Sequence, residues 1–256
     1  MSLTVKIALG PLLLAQALLT RRRMPRLPEA AGLRQGTVGA VRATPLRLLL
    51  AGDSSAAGVG VSRQDEALAE PLAQQLARLC DARVHWRLLA QSGLTTAQTL
   101  GLLQREAPAQ ADIAVVVSGV NDVMDQVPSQ RAVRSREAIA NGLRNAHGVV
   151  HVVFAPLPPV HAFLGLPQPL RWVAGADAKR HNAALQDWVG TRSDVSCVDM
   201  HLDLHKDRHQ HLPTGAALLA SDGFHPGAAA YRHFATAIAQ HIATHVWPQL
   251  QTEPAP

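Results

Sequence analysis

At 256 residues, 47% hydrophobic and 17% charged, the chain is sized for one α/β domain with a real core and is too apolar for a long disordered protein. Its net charge of +5 is uneven: up to Arg47, eight Lys and Arg face Glu29 alone, a balance of +7 that leaves −2 for the rest. The basic groups flank an apolar N-terminus instead of lining a folded face, which argues against a nucleic-acid partner. Cys80 and Cys197 are too few and too far apart for a disulfide framework or a zinc cluster.

The first segment, Ile7 to Leu19, is an apolar run followed by Thr20 and Arg21 to Arg23. It is shorter than the roughly 20 residues that a spanning helix needs, although counting from Met1 with Lys6 snorkelling brings it close to that length. A secretory signal carries its charge before the apolar run, with a small-residue cleavage site after it; here the larger charge block follows. Residues 1–24 therefore read as an uncleaved membrane-associating segment, with Arg21 to Arg23 and the domain after them on the cytoplasmic side. An exported protein with a poor signal and an ordinary buried helix are the alternatives. Residues 25–45, rich in Pro, Gly and Arg, read as a linker.

From Leu46 apolar runs alternate with amphipathic segments. Residues 46–54 form a buried strand and 65–80 a helix with Pro71 near its start; 84–93 form a second strand, followed by a helix capped by Thr95 or Thr96. The unbroken Ile and Val run in 111–122 suits a sheet covered on both faces, and a helix over 129–146 follows. Residues 148–156 give the fourth strand, then come a Pro-rich loop to about Gly175, a helix over 177–189 and a fifth strand at 195–198. After a His-rich loop, 225–247 form a terminal helix with Pro226 in its first turn, and 248–256 are a tail. Strict alternation implies an α/β fold, a three-layer α/β/α sandwich on a five-stranded parallel sheet, occupying 46–247.

In such sheets ligands sit beyond the carboxyl ends of the strands. Those ends and the last loop carry Ser54, Gly93, Asn121, Asp222 and His225. Ser54 can attack a carbonyl if a base removes its proton, and His225 is a candidate base because imidazole titrates near neutrality. Asp222, three residues earlier, can accept from the imidazole Nδ1 and fix its tautomer. The Ser54 N–H, the Gly93 N–H and the Asn121 amide are candidate donors to an oxyanion.

Four blocks carry a resemblance: GDSS at 52–55, the glycine of AQSGLTT, GVND at 119–122 and DGFHP at 222–226. In their order and spacing the chain resembles the SGNH, or GDSL-type, hydrolases, over about 46–247. The resemblance implies a flavodoxin-like sandwich that hydrolyses an ester or thioester through an acyl-enzyme, without metal or cofactor. It makes Ser54 the nucleophile, His225 the base, Asp222 its orienter, and Ser54, Gly93 and Asn121 the oxyanion hole. Ser55 stands where the family usually has leucine. An acyltransferase sharing this machinery and a non-catalytic module of the same fold are the alternatives.

Other features have plainer readings. Asp53 and Asp122 read as turn-stabilising carboxylates. His201 to His211 (HLDLHKDRHQH) holds metal-ligand types but no HExxH spacing, and reads as a solvated loop bordering the site. The apolar, proline-stiffened loop from Ala155 to Trp172 is expected to line an acyl pocket through Phe163, Leu164, Leu166 and Trp172. The expected partner is a small-molecule or lipid acyl ester.

Overall fold

A computed structural model describes residues 3–23, 25–107, 109–200 and 218–252. The sheet has six strands: β1 (Gln35–Val38), β2 (Thr44–Gly52), β3 (Ala82–Ala90), β4 (Ile113–Val117), β5 (His151–Phe154) and β6 (Val195–Cys197), in the order β1-β3-β2-β4-β5-β6. All neighbours pair in parallel except β1, which runs antiparallel along β3. Without β1, the five parallel strands have the flavodoxin-like order.

The five-stranded parallel sheet expected from the sequence therefore gains an antiparallel edge, and the segment read as a linker, 25–45, supplies it. The four residues QGTV are too short and too polar to announce a strand. Their partner makes the difference: Gly36 lies flat beneath the Trp86 ring, where a Cβ would come within 2.9 Å of the indole nitrogen. Upstream, the Ala30 carbonyl accepts from the buried Gln64 amide, and Glu29 accepts from the Ser92 N–H. These residues are built into the domain.

Strand β2 shows why the sheet lies in the middle. Leu46, Leu48 and Leu50 pack into one buried cluster, while Leu49 and Ala51 enter another, so both faces are covered and the run need not alternate in polarity. The first cluster is closed by α3 (Ala69–Leu79) and α8 (Ala228–His241). The second is closed by α4 (Thr96–Arg105), α6 (Ser129–His147) and α7 (Leu170–Val189). Short α2 (Ser54–Ala57) and α5 (Val120–Met124) follow β2 and β4 directly, and α1 (Leu3–Arg23) lies against α7.

Element ends shift for identifiable reasons. Pro71 sits in the first turn of α3, where its missing N–H costs nothing, and a separate 3-10 turn covers Gln64–Glu66. Helix α7 starts at Leu170, well before 177: Leu170, Ala174 and Ala178 pack with Phe163 and Leu166 in one buried cluster, and Asn182 further along bonds both backbone polar groups of Leu157. Pro226 lies outside α8, in a bridge to Leu219, with Gly227 as the cap. Beyond α8 a π turn (Ile242–Val246) leads into α9 (Trp247–Thr252), and Leu250 packs on the core, so the expected tail is partly helical.

The N-terminal ends of β5 and β6 carry a histidine cluster. Ser196 Oγ lies 2.9 Å from His151 Nε2 and 2.8 Å from His241 Nε2, and the His245 ring lies tilted against His241 with centroids 5.2 Å apart. Burial, helped by the neighbouring imidazole, pushes His151 down to about 4, and burial also lowers His241. Both groups bind protons more weakly folded than unfolded, so their contribution is complete above the unfolded value of about 6.5 and is lost as pH falls toward about 4. Urea unfolding should show lower stability at pH 5 than at pH 7, and His151→Gln should shrink that difference. An undiminished difference in the variant would remove His151 as a source.

Candidate active site

The parallel order reverses direction between β2 and β4, and the crevice beyond that point is where such sheets bind ligands. Ser54 follows β2 and Asn121 follows β4, so the topology delivers both to that crevice. Asp53 caps α2 by accepting from the Ser55 N–H, which turns the chain sharply and sets Ser54 at the helix start. Burial pushes the Asp53 carboxyl up to about 7, against the backbone hydrogen bonds that oppose the rise.

His225 reaches Ser54 across the crevice, with Nε2 3.1 Å from Ser54 Oγ and Nδ1 2.6 Å from Asp222 Oδ2. Asp222 Oδ1 also accepts from the Phe224 and His225 N–H groups, both at 3.0 Å. Burial would raise the Asp222 pKa, but the hydrogen bonds from the His225 side chain and from those two amides outweigh it and hold the carboxyl below its ordinary value. An ionised carboxylate only accepts, so Nδ1 carries the proton and Nε2 is left as the acceptor for the Ser54 hydroxyl. The order of groups is hydroxyl, base, orienter.

Gly93 lies three residues beyond the end of β3, on the same edge of the sheet. A Cβ there would meet nothing within 4 Å, so the protein's own demand for glycine is the backbone angle, φ +83°. The Asn121 side-chain amide donates one hydrogen to the Leu94 carbonyl at 2.9 Å, joining the Gly93 loop to the β4 turn. Two supports hold that junction. From outside, Glu29 accepts from the Ser92 N–H while Arg34 bonds both Glu29 and the Ala90 carbonyl.

From inside, Asp122 accepts from the Thr96 N–H at 3.2 Å and from the Thr96 hydroxyl. Beneath it Arg136, fully buried, donates to the Ser118 carbonyl at 3.3 Å. Burial lowers the Arg136 pKa, and the charges of Asp122 and Asp53 act against that. Gly119, at φ +130°, leaves room for this guanidinium, since a Cβ would sit 2.6 Å from its Nη2. Read from sequence as a local turn carboxylate, Asp122 thus bridges two loops above a buried cation.

An apolar cavity of about 390 Å³ opens beside Ser54, Asn121 and His225. Phe163 and Leu164 line it, with Pro156, Pro158 and Pro159 from the same loop. Leu166 does not: it is buried in the cluster behind the loop, and Trp172 is half-exposed on the outer side of α7. The inner wall, missed from sequence, is Ala230, Phe234 and Ile238 of α8. Their i, i+4, i+8 spacing is that of any core stripe, so only the gap between α8 and the sheet distinguishes them.

The His201 to His211 segment lies outside the described residues. Among the described residues no group of three or more His, Cys, Asp or Glu is arranged for a metal ion, and no helix is long and apolar enough to cross a membrane.

Fold and site together define an α/β/α sandwich with serine, histidine and aspartate in line beside an apolar cavity. The chain belongs to the GDSL-like lipase/acylhydrolase family, whose model matches residues 50–233, and it is an ester hydrolase. Its fold is that of a possible lipase from Chitinophaga pinensis (TM-score 0.57, 15% identity, 81% of this chain and 100% of that one). It is also that of the lipase Lip_vut3 from a goat rumen metagenome (0.56, 16%, 78% and 98%). A family 3 carbohydrate esterase from Clostridium thermocellum is similar as well (0.55, 14%, 81% and 99%). No curated protein shows significant sequence similarity.

Removing the Asp122 carboxylate strips the Thr96 N–H of its partner and takes away the negative charge that acts most strongly on buried Arg136. Asp122→Ala should destabilise the fold by about 3 kcal/mol in urea titration and lower ester hydrolysis at saturating substrate. A variant of wild-type stability would show that the bridge is not needed.

Proposed function

We propose that the chain hydrolyses acyl esters through an acyl-enzyme on Ser54. The observation that carries this reading is the line Ser54 Oγ, His225 Nε2 and Nδ1, Asp222 Oδ2, with contacts of 3.1 and 2.6 Å.

His225 Nε2 takes the Ser54 proton as Oγ bonds to the carbonyl carbon. The negative charge that collects on the carbonyl oxygen is received by the Ser54 and Gly93 N–H groups and by the Asn121 amide hydrogen not engaged with Leu94. The C–O bond to the leaving alcohol breaks, and the imidazolium returns its proton to that alcohol. Water then attacks the acyl-enzyme by the same path, giving the carboxylic acid and restoring Ser54. Asp222 stays ionised and stabilises the imidazolium. These groups handle every charge and proton, so the proposal includes no cofactor.

The cavity favours an acyl chain longer than acetyl. Its apolar lining and its extension from the Ser54 hydroxyl to Ile238 suit a hydrocarbon tail. The similar structures include lipases, a phospholipase A1 from Streptomyces albidoflavus and a carbohydrate esterase; the cavity favours the lipid side of that range. The membrane association read into residues 1–24 is retained as contact with a membrane surface. Its cytoplasmic side was argued from a spanning orientation, which α1 does not support.

Ser54→Ala should reduce p-nitrophenyl ester hydrolysis to the level of the uncatalysed reaction, and Asn121→Ala should lower kcat by about 10²- to 10³-fold. An unchanged kcat for the latter would remove Asn121 from the oxyanion hole. Ala230→Leu should shift preference from long p-nitrophenyl esters toward the acetyl ester. A profile unchanged from wild type would place the acyl chain elsewhere.

A further inference from the structure

Helix α1 has an apolar inner face and an apolar outer face. Leu13 and Ala17 pack on the buried cluster of Phe163, Leu166 and Leu170. The Gln16 amide clamps the same loop, donating to the Gln168 carbonyl at 2.7 Å and accepting from the Leu170 N–H at 3.1 Å. On the other side Ile7, Leu12, Leu14, Leu18 and Leu19 face outward, Leu14 at 62% and Leu18 at 52% exposure. A helix apolar all round is normally covered all round.

Exposed apolar side chains also stand on the loop that α1 clamps and on the first turn of α7. Leu164, 67% exposed, also lines the cavity, and Trp172, 50% exposed, follows two residues after the clamped Leu170. The charge pattern says what covers this surface. Residues 1–28 contain no acidic residue, and the helix ends at exposed Arg22 and Arg23, with Arg26 just beyond. An apolar strip ending in a basic cluster matches the acyl boundary and anionic headgroups of a lipid surface.

We propose that α1, with Leu164 and Trp172, seats the enzyme on an anionic lipid surface with the cavity mouth turned toward it, so that the acyl ester enters the cavity from the bilayer. The Gln16 clamp ties the seating helix to the loop that lines the cavity. The docking half stands on α1 alone; the delivery of substrate rests on the ester-hydrolase reading above.

The test uses the full chain with a Leu14→Asp/Leu18→Asp pair, whose side chains touch neither the core nor the cavity. Binding is measured in a Ser54→Ala background by co-sedimentation with phosphatidylcholine vesicles with and without phosphatidylserine, and hydrolysis in the Ser54 protein. The pair should weaken vesicle binding at least about tenfold. It should also slow hydrolysis of a vesicle-borne ester by a similar factor, while p-nitrophenyl acetate turnover stays at the wild-type rate and so reports an intact fold. Replacing Arg22, Arg23 and Arg26 with Gln should abolish the preference for phosphatidylserine. Wild-type vesicle binding by the aspartate pair would overturn the proposal, as would a pair whose only effect is to convert a dimer to a monomer, because the cover would then be a second copy. If the wild type hydrolyses neither ester yet binds vesicles, the ester-hydrolase reading fails and docking stands.

Discussion

Ser54 and His225 are 171 residues apart in the chain and 3.1 Å apart in space. Everything else in the site depends on holding that gap. One end is fixed by β2, whose Gly52 and Ala51 are buried and pair with strands on both sides, leaving no freedom at the residue that follows. The other end is fixed by the turn before α8, where Leu219 and Pro226 form a bridge and the Tyr231 hydroxyl reaches back to the Val59 carbonyl at 2.7 Å. A hydrogen bond between two side chains contributes little by itself. Here its geometry is a by-product of the buried leucine packing beneath it, and that fixed geometry is what the proposed proton transfer needs.

The same economy governs the side of the site where the oxyanion hole is proposed. Gly93 and Asn121 come from different loops, and their relative position is set by Asp122 on Thr96, by Asn121 on Leu94 and by Glu29 on Ser92. In the oxyanion hole proposed above, donors held this way would need little reorganisation as charge develops, and preorganisation of this kind is the largest single contribution in many acyl-transfer enzymes. Burying Arg136 is costly, yet it gives the carboxylates of Asp53 and Asp122 a cation to face in a region that water does not reach. The apolar cavity begins where these polar contacts end.

Sequence made the parallel core and the grouped strand ends legible because both are local signals. An Ile and Val run reads as a buried strand, and a Gly-Asp-Ser after it reads as a functional turn. What it hid was cooperative. The QGTV strand exists because Trp86 and β3 offer it a partner, and nothing in those four residues records that. Leu164 and Leu166 are alike on paper, but one faces the cavity and the other the cluster behind it, on either side of Gly165, whose N–H is bonded to the Gly223 carbonyl of the turn before α8. Asp122 looked like a turn residue because its partners, Thr96 and Arg136, are 26 residues before it and 14 after it.

The central claim is that Ser54, not its neighbour Ser55, is the attacking group. Ser55 also borders the cavity, but it is the Ser54 hydroxyl that His225 Nε2 lies against. Peptide mapping by mass spectrometry after reaction of the wild-type chain with a fluorophosphonate decides between them. The account predicts one phosphonyl group per chain, on Ser54. An adduct on Ser55, or on any residue away from His225, would contradict it.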